Sequence, residues 1–235
     1  MCGRFAASES TEEIVEAFLI DEVVEPAVAN FNVAPTDPIP AVIEREDKAS
    51  GTVLRKLVAP RWGLVPSWAK DASSGARMIN ARVETVASKR AFAVPFARRR
   101  CLIPADGYFE WTTQTENGRT VKQPWFLHPA RGRFVMAGLY EFWRHPLDGT
   151  WLTSATIITT VATDALGHIH DRMPMVVDPG DWGTWLDPRA VDADLARSLL
   201  SAPEGLVAHE VSRAVNSVAN NGPEMIRPLE PPAGA

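Results

Sequence analysis

The hydrophobic and polar positions along the chain alternate mostly with the two-residue period of β-strands. Apolar and β-branched stretches are separated by Pro, Gly and Asn or Asp, a pattern typical of short strands joined by turns. Strands are predicted around residues 29–34, 39–45, 52–59, 101–111, 124–128, 133–143 and 151–162. Asn117-Gly118 is a typical hairpin turn. This spacing predicts a mostly antiparallel sheet.

A few helices are predicted around the sheet. Residues 10–13, STEE, have the capping-box pattern and precede apolar residues at helical spacing, which predicts a short amphipathic helix. Helical patterns also occur at 83–92, 181–187 and 192–201. The predicted fold class is therefore α+β, with a curled sheet and peripheral helices.

The composition fits one soluble domain. Of the 235 residues, 46% are hydrophobic, and no linker divides the chain, so we predict a single domain over residues 1–220. Residues 221–235 are rich in proline and are predicted to form a tail with little structure of its own. No apolar run approaches the roughly 20 residues that span a bilayer, and no signal peptide is recognisable. We expect a cytoplasmic protein without a membrane partner.

The two cysteines, Cys2 and Cys101, lie far apart and outside any metal-binding spacing. We therefore expect no disulfide framework, no metal and no cofactor, and an inert buried thiol at Cys101. Cys2 is different because removal of Met1 would make it the N-terminal residue. It would then carry an amine and a thiol on adjacent carbons.

Positive charge is concentrated in one segment. The net charge is −5, but residues 55–100, which include Arg77, contain eleven Lys or Arg and two acids, a local charge of +9. A basic cluster on an acidic chain can bind phosphates locally. The alternative is a solvated charged face.

Two motifs in this segment fit a nucleic-acid site. In RWGLVPSWAK, Trp62 and Trp68 lie between cations, as stacking and backbone contacts with single strands require, although both rings could instead be core. In MINARVETV, Asn80 and Arg82 share one face of an extended segment, and an Arg suits a bidentate phosphate contact. Arg82 could instead form a surface pair with Glu84.

Two further motifs offer acid–base groups. Glu110 lies between Phe109 and Trp111 on a predicted strand, where partial desolvation would raise its pKa, unless it faces solvent. In GHIHDRMP, His170 and Arg172 lie at a turn-to-strand junction, where loops present functional groups. A His-x-His metal pair would need a third ligand, and the sequence indicates none.

Six motifs in this order closely resemble the SOS-response-associated peptidase (SRAP) family: MCGRF, NFNVAPTDPIPAV, RWGLVPSWAK, MINARVET, RRCLIPADGYFEW and IHDRMP. The resemblance covers residues 1 to about 187. It implies a barrel-like mixed α+β domain that recognises abasic sites in single-stranded DNA, crosslinks to them through its N-terminal cysteine and removes Met1 by self-processing. We expect a monomer that is associated with the nucleoid when bound to DNA.

The resemblance also implies residue roles. These are a nucleophile at Cys2, positioning of the deoxyribose by Asn80, acid–base catalysis by Glu110 and a second catalytic group at His170. The implied DNA contacts come from Arg4 and Arg82 to phosphate and from Trp62 and Trp68 near the bases. We add Arg77 and Arg172 as expected DNA contacts.

This chemistry explains an N-terminal cysteine. An α-amine with a pKa near 8 is substantially neutral at working pH and attacks the open aldehyde of an abasic site to form a Schiff base. The thiol then closes a five-membered thiazolidine, and a lyase side activity is possible from the Schiff base. Two other functions stay open: an N-terminal cysteine peptidase and a non-covalent single-strand binding module.

Overall fold

The computed structural model describes residues 2–162 and 165–229. The strands are β1 (Phe5–Ala7), β2 (Glu22–Val23), β3 (Asn30–Val33), β4 (Ala41–Glu46), β5 (Val53–Val58), β6 (Arg61–Trp62), β7 (Asn80–Arg82), β8 (Arg100–Ala105), β9 (Gly107–Glu116), β10 (Arg119–Pro129), β11 (Phe134–Arg144), β12 (Trp151–Val161), β13 (Arg172–Pro174), β14 (Val176–Val177), β15 (Leu200–Ser201) and β16 (Leu206–Glu210). The α-helices are α1 (Thr11–Phe18), α2 (Ala93–Arg98), α3 (Trp182–Leu186) and α4 (Ala193–Ser198). Short 3-10 helices span Ala72–Arg77, Ala165–His168, Pro179–Asp181, Arg213–Asn216 and Pro223–Ile226.

The strands form two sheets that share a buried apolar cluster. The smaller sheet has the order β16-β10-β9-β1-β3, and the path through the larger is β13-β12-β11-β8-β4-β5-β2. Neighbouring strands are antiparallel except where β2 joins β5 and where β6 and β7 join β12. The predicted α+β class with mostly antiparallel strands is confirmed. No pairing among the described residues closes a sheet into a ring, so the barrel-like shape is not confirmed.

The continuous strand predicted over 101–111 is wrong, because the chain changes sheets in its middle. Asp106 separates β8 of the larger sheet from β9 of the smaller one. Gly107 makes this crossing possible, since a Cβ there would lie 2.5 Å from the carbonyl oxygen of Leu127. After the crossing, β9 pairs with β1, so Phe5 lies opposite Tyr108 and the N-terminus runs beside Glu110.

The hairpin and the first helix form as their sequences predict. Asn117 and Gly118 both have positive φ and join the antiparallel strands β9 and β10. At α1, the hydroxyl of Ser10 accepts from the Glu13 backbone, and the Glu13 carboxylate accepts from the Ser10 backbone. The patterns at 181–187 and 192–201 contain the shorter helices α3 and α4.

The helix predicted over 83–92 is wrong. The N–H of Thr85 donates to the Arg82 carbonyl and that of Ser88 to the Thr85 carbonyl, bonds that close separate turns. The helix in this region is α2, which begins at Ala93. Pro95 explains this position, because proline has no N–H to donate and is tolerated in the first turn of a helix.

The C-terminal residues expected to begin a tail at 221 instead continue along the smaller sheet. The side chain of Asn221 accepts from the Phe31 backbone at 2.8 Å, and Met225 is buried in an apolar cluster with Phe109. Pro228 forms a β-bridge with Val211. Residues 221–229 are therefore part of the folded domain, and residues 230–235 lie outside the described residues. Across the described ranges, no helix is long and apolar enough to cross a membrane.

Candidate active site

Cys2 is fully buried at the start of the chain, just before β1. Its carbonyl oxygen accepts a hydrogen bond of 2.7 Å from Nδ2 of Asn80, and its thiol donates weakly to the Arg4 carbonyl at 3.8 Å. Burial, reinforced by the charge of Glu110, raises the pKa of the Cys2 thiol. The nucleophile predicted from the sequence is therefore held as a neutral thiol.

Asn80 reaches Cys2 because β7 runs parallel to β12, with Asn80 opposite Ile157. Its Oδ1 is buried and has no hydrogen-bond partner among the described residues. A buried acceptor of this kind is costly unless it receives a hydrogen bond. Arg82, two residues further on the same face, is exposed. Asn80 thus holds the backbone of Cys2 with one atom and offers an acceptor with the other.

Glu110 is buried on β9, where successive side chains point to opposite faces of the strand. Phe109 and Trp111 pack in a cluster on one face of the strand, while Tyr108 points into the main core on the other. Glu110 is only 3% exposed, which excludes the solvent-facing alternative. Burial, assisted by the charge of Asp171, raises its pKa to about 7. A carboxyl with this pKa can both donate and accept protons near neutrality.

His170 approaches Glu110 from the segment before β13. Its Nε2 lies 3.8 Å from Oε2 of Glu110, and its Nδ1 accepts from the backbone N–H of Arg172 at 3.0 Å. Burial lowers the pKa of His170, although Asp171, whose Oδ1 is 3.1 Å from Nδ1, acts in the opposite direction. We assign the neutral ring with its proton on Nε2, directed towards Glu110.

Arg4 is partly buried, and its guanidinium is bound by groups of the protein itself. Its guanidinium donates to Oδ1 of Asn32 at 2.6 Å and to the carbonyl of Val215 at 2.9 Å, and it lies over the ring of Trp111. Asn32 was not singled out in the sequence. Its position in NFNVAPTDP carried no chemical signal, since its partners are far away in the chain.

Two of the expected DNA contacts have structural roles instead. Trp62 is fully buried, packs edge-on against Phe5 and donates to the carbonyl of Ile79 at 3.0 Å, so its ring faces are unavailable to a base. Arg172 is nearly buried and forms a bidentate pair with Glu84 at 2.7 and 3.1 Å. Glu84 therefore pairs with Arg172, not with Arg82 as the sequence alternative had it.

The other half of the tryptophan motif is exposed. Trp68 is 52% exposed, and the guanidinium of Arg90 lies 4.4 Å from its ring centroid. Trp68, Lys70 and Arg77 line a surface cavity of about 180 Å³. Arg77 is exposed there. Arg90 belongs to the basic segment, but only the fold shows which of its cations lies on an aromatic ring.

The described geometry brings Cys2, Asn80, Glu110 and His170 together. It combines a buried thiol, a buried acceptor, a carboxyl whose pKa is raised to about 7 and an imidazole whose pKa is lowered, an arrangement that can support nucleophilic addition with proton transfer.

Comparison with known proteins gives relatives over nearly the whole chain. The family described as SOS response associated peptidase (SRAP) matches residues 1–218. The abasic site processing protein YoqW of Bacillus subtilis is 39% identical over 233 residues, which cover 96% of this chain and 99% of that protein. The abasic site processing protein HMCES of Gallus gallus is 33% identical, over 86% of this chain and 66% of that protein.

The fold also matches solved structures. A protein from Bacteroides thetaiotaomicron superposes with a TM-score of 0.79 at 23% identity, over 97% of this chain and all of that one. A phage-related protein from Bordetella bronchiseptica gives a TM-score of 0.65 at 27% identity, over 90% of this chain and 95% of that one. From the family match and the close relatives, the chain belongs to the SRAP family.

Proposed function

We propose that this protein processes abasic sites in single-stranded DNA and captures them covalently through Cys2. One observation carries the proposal: Asn80 fixes the second residue of the chain beside Glu110, a carboxyl whose pKa is raised to about 7. The names of the relatives, abasic site processing proteins, support the same substrate.

Hydrolysis of the Met1–Cys2 bond, which we assign to the protein itself, consumes one water and frees the Cys2 α-amine. This amine condenses with the aldehyde of the open abasic sugar, forms an imine and releases one water. The thiol then adds to the imine carbon and its proton passes to the imine nitrogen, which closes a thiazolidine. The adduct therefore weighs one water less than mature protein plus DNA. Only a terminal cysteine can form this ring.

The surrounding side chains fit the proton transfers that these steps need. In its protonated form, Glu110 donates a proton to the oxygen that leaves as water. In its ionised form, it takes the proton of the Cys2 thiol during ring closure. His170, with its proton on Nε2, can donate a hydrogen bond to the ionised Glu110 carboxylate between these two steps. We assign the buried Oδ1 of Asn80, which lacks a hydrogen-bond partner among the described residues, to accept from a sugar hydroxyl.

Because the thiol is buried, imine formation by the amine precedes ring closure by the thiol. Because the pKa of Cys2 is raised, the resting site contains a thiol rather than a reactive thiolate, so the amine attacks first. The imine also acidifies the neighbouring C–H bond, which would permit strand cleavage by elimination. Ring closure removes the imine, so a lyase activity is a side reaction in this proposal.

The exposed side chains supply the DNA contacts. Arg82 and Arg77 are assigned to phosphates and Trp68, under Arg90, to a base. Arg4 is assigned to a further phosphate contact because it lies close to Cys2. In the same proposal, one domain acts as a monomer in the cytoplasm and joins the nucleoid only through bound DNA.

Intact-mass spectrometry tests the capture. The purified protein is measured alone and after incubation with a single-stranded oligonucleotide containing one abasic site. We expect a mass without Met1 and an adduct of protein plus DNA less one water that survives denaturation. Cys2→Ala should abolish the adduct, while Cys101→Ala, which removes the other buried thiol, should retain it. Retained Met1, or an adduct that persists in Cys2→Ala, would contradict the mechanism.

A further inference from the structure

Two of the eight tryptophans are more than half exposed, and both lie beneath an arginine. Trp68 is one. The other is Trp151, which is 68% exposed at the start of β12 and has the Arg144 guanidinium 5.8 Å from its ring centroid. An exposed ring beside a cation can stack on a base while the cation contacts the backbone of a single strand. The proposed function uses Trp68 but leaves Trp151 without a role.

The strand register places Trp151 within a larger strip of similar side chains. Arg144 pairs with Trp151 across the β11–β12 hairpin, and Phe142 pairs with Thr153. Since alternate residues share a face, Phe142, Arg144 and Trp151 all point to one side. The guanidinium of Arg45 lies 4.7 Å from the Phe142 ring centroid on that side. We name Arg45, Phe142, Arg144 and Trp151 the arginine–aromatic strip.

A gap in the larger sheet opens beside this strip. Strand β8 begins at Arg100, opposite Leu139, so the last residues of β11 have no β8 neighbour. A cavity of about 250 Å³ lies in the gap, and its lining includes three cations, Arg45, Arg98 and Arg99, and one exposed acid, Glu46.

The charges around the strip favour an anionic ligand. The nearby carboxylate of Glu141 is occupied by Arg99 at 2.7 Å, and that of Asp148 accepts from the backbone and hydroxyl of Thr150. The guanidinium groups of Arg45 and Arg144 have no carboxylate within ion-pair distance among the described residues. Unneutralised arginines beside aromatic rings are the components of a single-strand binding surface.

The strip lies in line with the candidate active site. Trp151 and Ile157 are on the same strand and the same face, and Ile157 is the residue that pairs with Asn80. Six residues separate them, which corresponds to about 20 Å along a strand.

We propose that the arginine–aromatic strip binds the bases and phosphates of the single strand at a distance from the abasic site. Trp151 stacks on a base, and Arg144 and Arg45 contact phosphates. The inference rests on the proposed function in one respect, namely that the protein binds single-stranded DNA. It adds a second contact region, so the bound strand is longer than the candidate active site requires.

Length-dependent binding tests this inference. Affinity for intact single strands of about 4 and about 16 nucleotides, the range of site sizes in single-strand binding folds, is measured by fluorescence anisotropy. Trp151→Ala should weaken binding of the longer strand about tenfold and leave the shorter unchanged, and Trp151→Phe should restore most of the loss. Arg144→Ala should reduce the salt slope for the longer strand by about one.

Leu147→Ala is the matched control, because Leu147 is 91% exposed in the same hairpin and has no ring. It should bind both strands as the wild type does. Equal losses for both lengths in Trp151→Ala, or no loss for either, would overturn the inference and indicate another ligand for the strip. If the wild-type protein binds no single strand of either length, the proposed function fails instead.

Discussion

The carboxamide oxygen of Asn32 accepts a hydrogen bond of 2.6 Å from the guanidinium of Arg4, two residues beyond Cys2. The amide group of the same Asn32 donates to the carbonyls of Val215, Ser217 and Asn220. One side chain therefore connects the N-terminal segment to a turn more than 180 residues away. Because Asn32 is 2% exposed, water cannot replace these bonds if they are lost.

Replacing Asn32 with Leu, which has a similar size, should destabilise the protein by about 2–4 kcal/mol, because a guanidinium and several carbonyls lose their partner. The adduct should also form more slowly, since the segment that carries Cys2 is held less firmly. Urea unfolding and the adduct rate measure the two effects. Ser217→Ala, which keeps the backbone acceptor of Asn32 and removes an exposed hydroxyl, should change stability by less than about 0.5 kcal/mol.

The raised pKa of Glu110 predicts the pH dependence of crosslinking. The protonated carboxyl donates to the departing oxygen, so this contribution decreases as the pH rises through about 7. The neutral fraction of the Cys2 α-amine increases as the pH rises towards about 8. The adduct rate should therefore pass through a maximum between these values.

Glu110→Gln should lower the rate about a hundredfold and remove the falling limb, leaving only the rise from the α-amine. Affinity for an intact single strand should be unchanged, because Glu110 is buried and is not one of the residues assigned to contact phosphate. A falling limb that survives in Glu110→Gln would assign the titration near 7 to another group.

The sequence predicted the local features of the fold better than its connections. The capping box at Ser10, the Asn117-Gly118 hairpin and the faces of β9 depend on neighbouring residues, so the pattern alone was sufficient. The break at Asp106 was missed because both halves are apolar and only the second sheet requires the crossing. The partner of Arg172 depends on tertiary packing, which a local motif cannot show.

Arg82 and Arg172 are both predicted from the sequence to contact DNA, but their replacement should have different effects. Arg172→Ala should destabilise the protein by about 2 kcal/mol, because Arg172 donates to Glu84 and to the buried carbonyl of Thr159. Arg82→Ala should leave stability within about 0.5 kcal/mol of the wild type and weaken DNA binding, with a salt slope smaller by about one.

The pH dependence of the Arg172→Ala effect provides an independent check. Hydrogen bonds from Arg172 lower the pKa of Glu84, so the pair stabilises the protein above the ordinary Glu value of about 4.3 and loses this effect as the pH falls through the lowered value. The difference in unfolding free energy between wild type and Arg172→Ala should therefore shrink in acid. A constant difference would show that the carbonyl contact alone accounts for the destabilisation.

The two tryptophans of RWGLVPSWAK should likewise separate stability from binding. Trp62→Phe keeps an aromatic ring in the core but leaves the carbonyl of Ile79 without its donor, so we expect a loss of about 1–3 kcal/mol and unchanged DNA affinity in the folded protein. Trp68→Ala removes a half-exposed ring under Arg90 and should leave the melting temperature unchanged.

For Trp68→Ala, affinity for a short single strand should fall about tenfold, because stacking on one base is lost. Trp151→Ala, by contrast, should affect only the longer strand, so the two variants together report where along the DNA each ring lies. If Trp68→Ala lowered the melting temperature and left affinity for the short strand unchanged, the exposed ring would be a structural element of its loop. Base stacking near the abasic site would then have to be assigned to another side chain.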